Sequence, residues 1–173
     1  MASDRFRSSP WHRYRRRIMG LTRRMVYGAL GGAGGTIVLT GLRKVLARLG
    51  VVGTTAPEQV VERLEELGLL ENRSPGARRA LTITVHSAYG VGMGAALGLL
   101  RREQEGAAVE AAVGAALGLL AWGAGWASWL PLTGVHRPPW KQRSTKVLLP
   151  VLDHAAFGAT WGLLYRALSR KGV

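Results

Sequence analysis

The chain contains no cysteine, which excludes disulfide bonds and thiolate-ligated metal sites. It also lacks an HExxH zinc motif, a pair of carboxylates on one predicted membrane span, and a phosphate-binding glycine loop that follows a predicted strand. One glycine-rich run, Gly31–Gly35, lies in the middle of an apolar segment, where phosphate binding is not expected. These absences predict a protein that is not an enzyme and holds no metal.

Charged residues are absent from the stretches 25–42, 80–100 and 111–136, and the stretch 147–165 contains only Asp153. Each stretch reaches the length of about 18 apolar residues that is typical of a transmembrane helix. Their many glycines favour lipid over water, because an interior helical glycine costs about 1 kcal/mol in water but allows close helix packing in a membrane. We therefore predict an all-α fold, a four-transmembrane-helix bundle. Its spans are predicted at about 25–48, 80–100, 107–130 and 147–166.

Two connections between the spans add detail to this prediction. The short link 101–106 predicts that the second and third spans are antiparallel neighbours. The third span ends in Trp122, Trp126 and Trp129, which are expected to form an aromatic belt at a membrane interface.

Acidic residues are scarce, 10 against 24 basic ones, which gives a formal net charge of +14. Much of the excess lies in residues 1–24, a basic arm that we predict to be disordered and cytoplasmic, because Lys and Arg beside a span mark its cytoplasmic side. The first apolar run has no cleavage site beside it and is expected to remain as a span. Because the bilayer is adjacent, we expect the arm to bind anionic lipid rather than nucleic acid. The arginines predicted to contact lipid are Arg13, Arg15, Arg16, Arg17, Arg23 and Arg24.

A short amphipathic helix is predicted between the first two spans, at about 56–68. Thr55 is suited to cap its start, Pro57 lies in its first turn, and Glu58 follows the cap by three residues. Apolar residues then fall on one face and charged residues on the other, and Gly68 is expected to end the helix. We expect this helix to lie on the membrane surface or against the bundle.

The pattern His-x-x-aromatic-Gly-x-x-x-Gly occurs twice, beginning at His86 in the second span and at His154 in the fourth. Because residues four apart share a helix face, each histidine lies on a stripe of glycines. Small-residue stripes allow helices to pack closely, so we expect both histidines to point inward at similar depth. The two copies also predict two tandem two-helix repeats. The glycines predicted to pack helices together are Gly28, Gly31, Gly32, Gly35, Gly90, Gly94, Gly98, Gly114, Gly118, Gly158 and Gly162.

The two histidines have one structural interpretation and two functional ones. In the structural interpretation, each imidazole forms a hydrogen bond to a neighbouring helix, through a carbonyl or a hydroxyl group such as that of Thr82, Thr84 or Thr160. In the second, His86 and His154 form a proton or ion path with Asp153, because ionisable groups inside a membrane are costly and mark function. The third is bis-histidine haem ligation, haem being the one cofactor that the pattern suggests.

Two classes of function follow. The first is a small transporter-like or channel-like protein that uses the inward-facing histidines and forms homo-oligomers, because four spans alone enclose little space. The second is a structural or assembly protein that docks partner helices through its glycine faces.

The chain also resembles the YagU-like family of small uncharacterised bacterial inner-membrane proteins. The matching features are the glycine-rich first span, the loop Gly53–Glu58 before an amphipathic segment, the two histidine-glycine helices and the Trp/Pro-rich turn Trp129–Pro139. In that loop Ala56-Pro57 stands where the family is expected to have paired prolines. The resemblance covers about residues 25–170. It implies a multi-pass protein of the bacterial inner membrane and brings no settled catalytic activity.

Overall fold

A computed structural model describes residues 10–50, 54–70, 74–101 and 105–171, with the backbone alone described at 10–19, 145, 146 and 171. Among these residues there are helices, turns and bends but no strand. Four of the described helices are long and apolar enough to cross a bilayer. The predicted all-α, four-span fold is therefore confirmed, and the chain has the architecture of a multi-pass membrane protein.

The helix bounds agree closely with the apolar pattern. In chain order the helices are α1 (Pro10–Arg48), α2 (Ala56–Glu66), α3 (Pro75–Leu100), α4 (Ala107–Ala124) and α5 (Ser144–Lys171). Helix α4 runs on into a π-helical turn, Gly125–Trp129, and a last α-helical turn, Leu130–Leu132. A short 3₁₀ turn, Pro139–Lys141, precedes α5.

The prediction of a disordered arm is wrong over residues 10–24, which continue into the first span as one unbroken helix. Pro10 stands at the first helical position, where the missing N–H would have no intrahelical partner. Several of the residues that follow are Arg, Met or Leu, which are good helix formers. Residues 1–9 lie outside the described residues.

The short surface helix α2 forms as predicted. The carboxylate of Glu58 accepts hydrogen bonds from the backbone N–H of Thr55 at 2.6 Å and from its hydroxyl group at 2.9 Å. Gly68 ends the helical region with a φ of 69°, in the left-handed region that favours glycine. Val61, only 1% exposed, anchors α2 against the bundle.

The spanning helices pack as two pairs, α1 with α3 and α4 with α5, and the pairs meet where α1 packs against α5. Helices α3 and α4 share few close backbone contacts, although a short link joins them. The second and third spans, which were predicted to be antiparallel neighbours, therefore do not pack closely through their backbones. The reason is that the glycine stripe of each of these helices faces α1 or α5, which leaves space between α3 and α4.

Both pairs cross at glycines. A Cβ atom added to Gly94 would lie 2.7 Å from the Cα atom of Gly32, and one added to Gly114 would lie 3.1 Å from the Cα atom of Gly162. Backbones that approach this closely leave no room for a side chain. Each glycine predicted to pack helices would likewise bring a Cβ atom against another helix.

Polar contacts close one end of the bundle, which we call the turn end (Arg24, Arg101 and Tyr165). The guanidinium group of Arg24 donates to the carbonyl oxygens of Gly98 at 3.2 Å and Arg101 at 2.9 Å. Arg101 also pairs with Glu110, which is 1% exposed, at 2.6 Å. The Tyr165 hydroxyl group donates to the Arg101 carbonyl at 3.2 Å. These contacts fix the link between α3 and α4 to α1 and α5.

Trp161 fills the interior above the turn end. Its side chain is fully buried, and its Nε1–H donates to the carbonyl oxygens of Gly28 at 3.1 Å and Gly94 at 3.2 Å. One indole therefore joins α5 to both α1 and α3. The cavities described next lie in the other half of the bundle.

Candidate functional site

Four ionisable side chains lie close together in the half of the bundle opposite the turn end, and we call them the polar layer (Arg43, His86, Asp153 and His154). Arg43 Nε donates to Asp153 Oδ2 at 2.7 Å, and Arg43 lines one cavity together with both histidines. Asp153 lies six residues inside the span that begins at Val147, a depth of about 9 Å at 1.5 Å per residue. The structure therefore brings the three predicted site residues together and adds Arg43.

The carboxylate of Asp153 is only partly compensated. The residue is 2% exposed, and within the described chain its Oδ1 atom is buried without a hydrogen-bond partner. A buried carboxylate normally has all its acceptor positions occupied, because an unpaired polar atom in a low-dielectric interior is costly. The Oδ1 atom can therefore accept a further hydrogen bond from a ligand or a water molecule.

The two histidines differ in their hydrogen bonding. His154 Nδ1 lies 2.7 Å from the carbonyl oxygen of Pro150 in its own helix, whereas His86 Nε2 is buried and has no partner in the described residues. Hydrogen bonds from these imidazoles to a neighbouring helix, as in the structural interpretation, are not formed among the described residues. The hydroxyl groups of Thr84 and Thr160 donate instead to carbonyls one turn back in their own helices.

An inner cavity of about 110 Å³ lies between α3 and α4, with α1 and α5 beneath it. Its walls are largely apolar and aromatic, and Tyr89, Trp126, Trp129 and Phe157 supply the rings. The Tyr89 hydroxyl group and the Trp129 indole nitrogen meet at Gly125, where an added Cβ atom would lie 3.1 and 3.7 Å from them. Side chains therefore bridge the gap that the backbones of α3 and α4 leave open.

The π-helical turn Gly125–Trp129 shapes this wall. Gly125, Trp126 and Trp129 all line the inner cavity, and Trp126, 8% exposed, packs against the His136 ring with centroids 4.3 Å apart. The predicted interfacial belt is therefore wrong for Trp126, which is buried. Single π-helical turns inside α-helices are frequent at functional sites.

An outer cleft of about 280 Å³ lies between the end of α1, the start of α2 and the first half of α3. It shares Arg43, His86 and Pro57 with the inner cavity. Two residues of the polar layer, Arg43 and His86, therefore line both spaces, whereas His154 lines the inner cavity alone. We call this end of the bundle the cleft end.

The predicted lipid-binding arginines fall into two groups. The side chains of Arg13, Arg15, Arg16 and Arg17 lie outside the described part of the structure. Arg23 is exposed and lies 5.9 Å from the ring centroid of Tyr27, whereas Arg24 is engaged with the carbonyls of α3. Lipid contact stays a prediction for this set.

Haem does not fit between the histidines. The inner cavity that both line measures about 110 Å³, whereas cofactor and ligand pockets usually measure about 300–1,000 Å³. Among the described residues there is also no group of three or more His, Cys, Asp or Glu side chains that could hold a metal ion.

Several residues of the site carry little sequence signal. Arg43 is the first charged residue after the apolar run 25–42, which suits a solvated flank as well as a buried partner for Asp153. Tyr89 is the aromatic residue of the first histidine motif, and its place in that motif is the sequence feature that indicates a position near the site. Nothing in the sequence indicates the π-helical turn.

Comparisons with protein-family models, curated proteins and solved structures found no match to this chain.

Proposed function

We propose that this protein is a small transporter-like membrane protein that moves protons through the polar layer, with or without a coupled substrate. The buried carboxylate of Asp153 carries the proposal, because it is 2% exposed, tied to Arg43 through one oxygen, and unpartnered at the other within the described chain. Ionisable groups at this depth are costly and generally mark ion or substrate pathways.

The position of the layer supports the same role. His86 borders both the outer cleft and the inner cavity, so a proton or substrate arriving through the cleft meets it first. Beyond the cavity, the glycine crossings and Trp161 close the path towards the turn end. A site open towards one end and sealed towards the other is what alternating access requires.

The rival proposal is a structural or assembly protein. It needs glycine faces that are free to dock partner helices, yet the predicted packing glycines face other helices of the same chain. The rival is therefore less well supported, although homo-oligomers that pack through other surfaces are compatible with both roles.

We further propose that the protein lies in a bacterial inner membrane with its termini in the cytoplasm and its basic arm on anionic lipid. The basic flank of the first span supports this orientation. The YagU-like resemblance, which we keep as a proposal, supports the membrane and adds no activity.

Proton flux into liposomes tests the main proposal. The purified protein is reconstituted around a pH-sensitive dye, and a potassium diffusion potential drives proton entry. We expect faster acidification than in protein-free liposomes, and loss of that difference in His86→Ala, His154→Ala and Asp153→Asn. A wild-type rate equal to that of protein-free liposomes would contradict the proposal.

Thr84→Ala is the matched control, because Thr84 is exposed on the same helix as His86 and bonds to the Ala80 carbonyl. It should keep the wild-type rate. Size-exclusion profiles of all the variants separate the two roles: transport variants remain monodisperse, whereas a structural role predicts that the histidine variants aggregate or lose their assembly.

A further inference from the structure

The outer cleft and the inner cavity are adjacent spaces with different chemistry. They share Arg43, His86 and Pro57, and their volumes are about 280 and 110 Å³. Together they fall at the lower end of the range of about 300–1,000 Å³ that small-molecule pockets occupy. A small molecule that occupied both spaces would pass between the shared residues Arg43, His86 and Pro57.

The inner cavity limits the apolar part of such a molecule. An engineered apolar cavity of about 150 Å³ in another protein binds benzene. The inner cavity is slightly smaller and is lined by the rings of Tyr89, Trp126 and Phe157. It suits one aromatic ring or a short branched chain.

The side chains of the outer cleft determine which charge is favoured on the remaining, polar part of the bound molecule. Lys44 lines the cleft and has no ion-pair partner in the described residues, and Arg43 bonds to Asp153 through Nε, which leaves its terminal nitrogens for other acceptors. The acidic side chain of the cleft, Glu58, already accepts two hydrogen bonds from Thr55. The side chains that line the cleft include two cations, Arg43 and Lys44, and one carboxylate, that of Glu58, and this excess of positive charge favours an anionic group.

We propose that these two spaces bind a small apolar carboxylate, with its carboxylate beside Arg43 and Lys44 and its ring or branched chain in the inner cavity. The identification of this molecule as a transported substrate rests on the proposed function. Equilibrium binding tests the site independently of transport.

The test uses 4-fluorobenzoate and purified full-length protein in detergent, with ¹⁹F line broadening as the measure of binding. Micelles without protein provide the baseline. We expect broadening that unlabelled benzoate reverses, and binding at least about tenfold weaker for the neutral 4-fluorobenzyl alcohol, since a hydrogen bond to a charged group supplies that much. The cation 4-fluorobenzylamine should bind no better than the alcohol.

Two pairs of variants locate the ligand. Lys44→Gln should weaken 4-fluorobenzoate binding about three- to tenfold, whereas Arg48→Gln, an exposed cation one turn further along α1, should not. Val85→Phe fills the inner cavity and should abolish binding, whereas Val91→Phe on the exposed side of α3 should preserve it.

Three results would overturn the site: no broadening above the micelle baseline with the wild-type protein, equal or tighter binding of the amine, or unchanged binding in a folded Val85→Phe. The ligand series on wild-type protein decides the matter if Val85→Phe does not fold. Binding without proton flux would keep the site and refute the transport role, whereas proton flux without binding would do the reverse.

Discussion

At the residue scale, the Arg43–Asp153 pair is costly to disrupt, because the carboxylate of Asp153 is 2% exposed. Removal of one partner from a buried ion pair typically costs about 3–5 kcal/mol, because the other charge is left uncompensated, whereas replacement of both by apolar residues is often neutral. We therefore expect Asp153→Leu to destabilise the protein by about 3 kcal/mol, and the double variant Arg43→Met/Asp153→Leu to recover most of that loss.

Unfolding in mixed detergent of the wild-type protein, Arg43→Met, Asp153→Leu and the double variant completes a double-mutant cycle. The informative quantity is the coupling free energy between Arg43 and Asp153. If Asp153→Leu and the double variant were equally stable, the charge left on Arg43 would cost nothing, and the pair would be solvated in the membrane. Proton flux should be lost in Asp153→Leu and in the double variant, because neither retains the carboxylate of residue 153.

Trp161 offers a second prediction at this scale, because it combines packing with two hydrogen bonds. Trp161→Phe keeps most of the buried volume and loses the bonds to Gly28 and Gly94, so we expect a loss of about 1 kcal/mol. Trp161→Ala leaves a cavity where three helices meet and should cost about 3–5 kcal/mol. Thermal unfolding in detergent measures both, and equal losses would mean that the indole N–H matters more than the ring.

The same scale shows where sequence reasoning ends. The expectation that His86 and His154 point inward followed from helical spacing, because residues four apart share a face. Asp153 lies outside both stripes, so its burial did not follow from that spacing. The identity of the partner of Asp153 could not be predicted from helical spacing, since pairing between helices depends on how far each helix is rotated about its axis. Hydropathy does not fix that rotation for Arg43, which lies near a span end where either a solvated or a buried position is possible.

At the element scale, the glycine crossings set how closely the helices approach. A Cβ atom on Gly94 would lie 2.7 Å from the Cα atom of Gly32, whereas one on Gly92, two residues away in α3, would meet nothing within 4 Å. We expect Gly94→Ala to force α1 and α3 apart and to cost about 1–3 kcal/mol. Gly92→Ala should be neutral or stabilise the protein by up to about 1 kcal/mol, because alanine favours the helix.

Unfolding free energies of these two variants give a direct comparison on one helix. Equal effects would show that helix propensity, and not the crossing, controls stability. The spans and the surface helix α2 were predictable because each depends on local sequence. The separation of α3 from α4 was not, because it results from competition between the glycine faces of all four spanning helices.

The glycine crossings also bear on the predicted tandem repeat. The carbonyl that Gly32 faces belongs to Gly90, whereas the carbonyl that Gly118 faces belongs to His154. When the crossing at Gly118 is superposed on the crossing at Gly32, His154 falls on Gly90. It does not fall on His86, its counterpart in the sequence motif, which lies one helical turn earlier in α3. The repeat stays a prediction about the sequence, and helix packing does not follow its register.

At the scale of the whole molecule, the bundle is asymmetric along the membrane normal. Arg24, Tyr165 and the Arg101–Glu110 pair close the turn end, whereas the cleft end has an open space beside Arg43 and Lys44. If the basic flank of α1 faces the cytoplasm, the cleft opens towards the outside of the cell. Under the proposed transport role, the described fold would then correspond to an outward-facing state.

Thiol labelling tests this orientation cleanly, because the chain has no cysteine and each variant carries a single thiol. We expect a membrane-impermeant maleimide to modify Ser87→Cys, whose side chain lines the outer cleft, in cells with a permeabilised outer membrane. Arg170→Cys, exposed at the turn end, should react after the inner membrane is opened and not before. Leu97→Cys, 5% exposed in the packed half, should stay unreactive in both conditions. Reversed labelling of the first two variants would place the cleft in the cytoplasm, and the polar layer would then receive its protons from inside the cell.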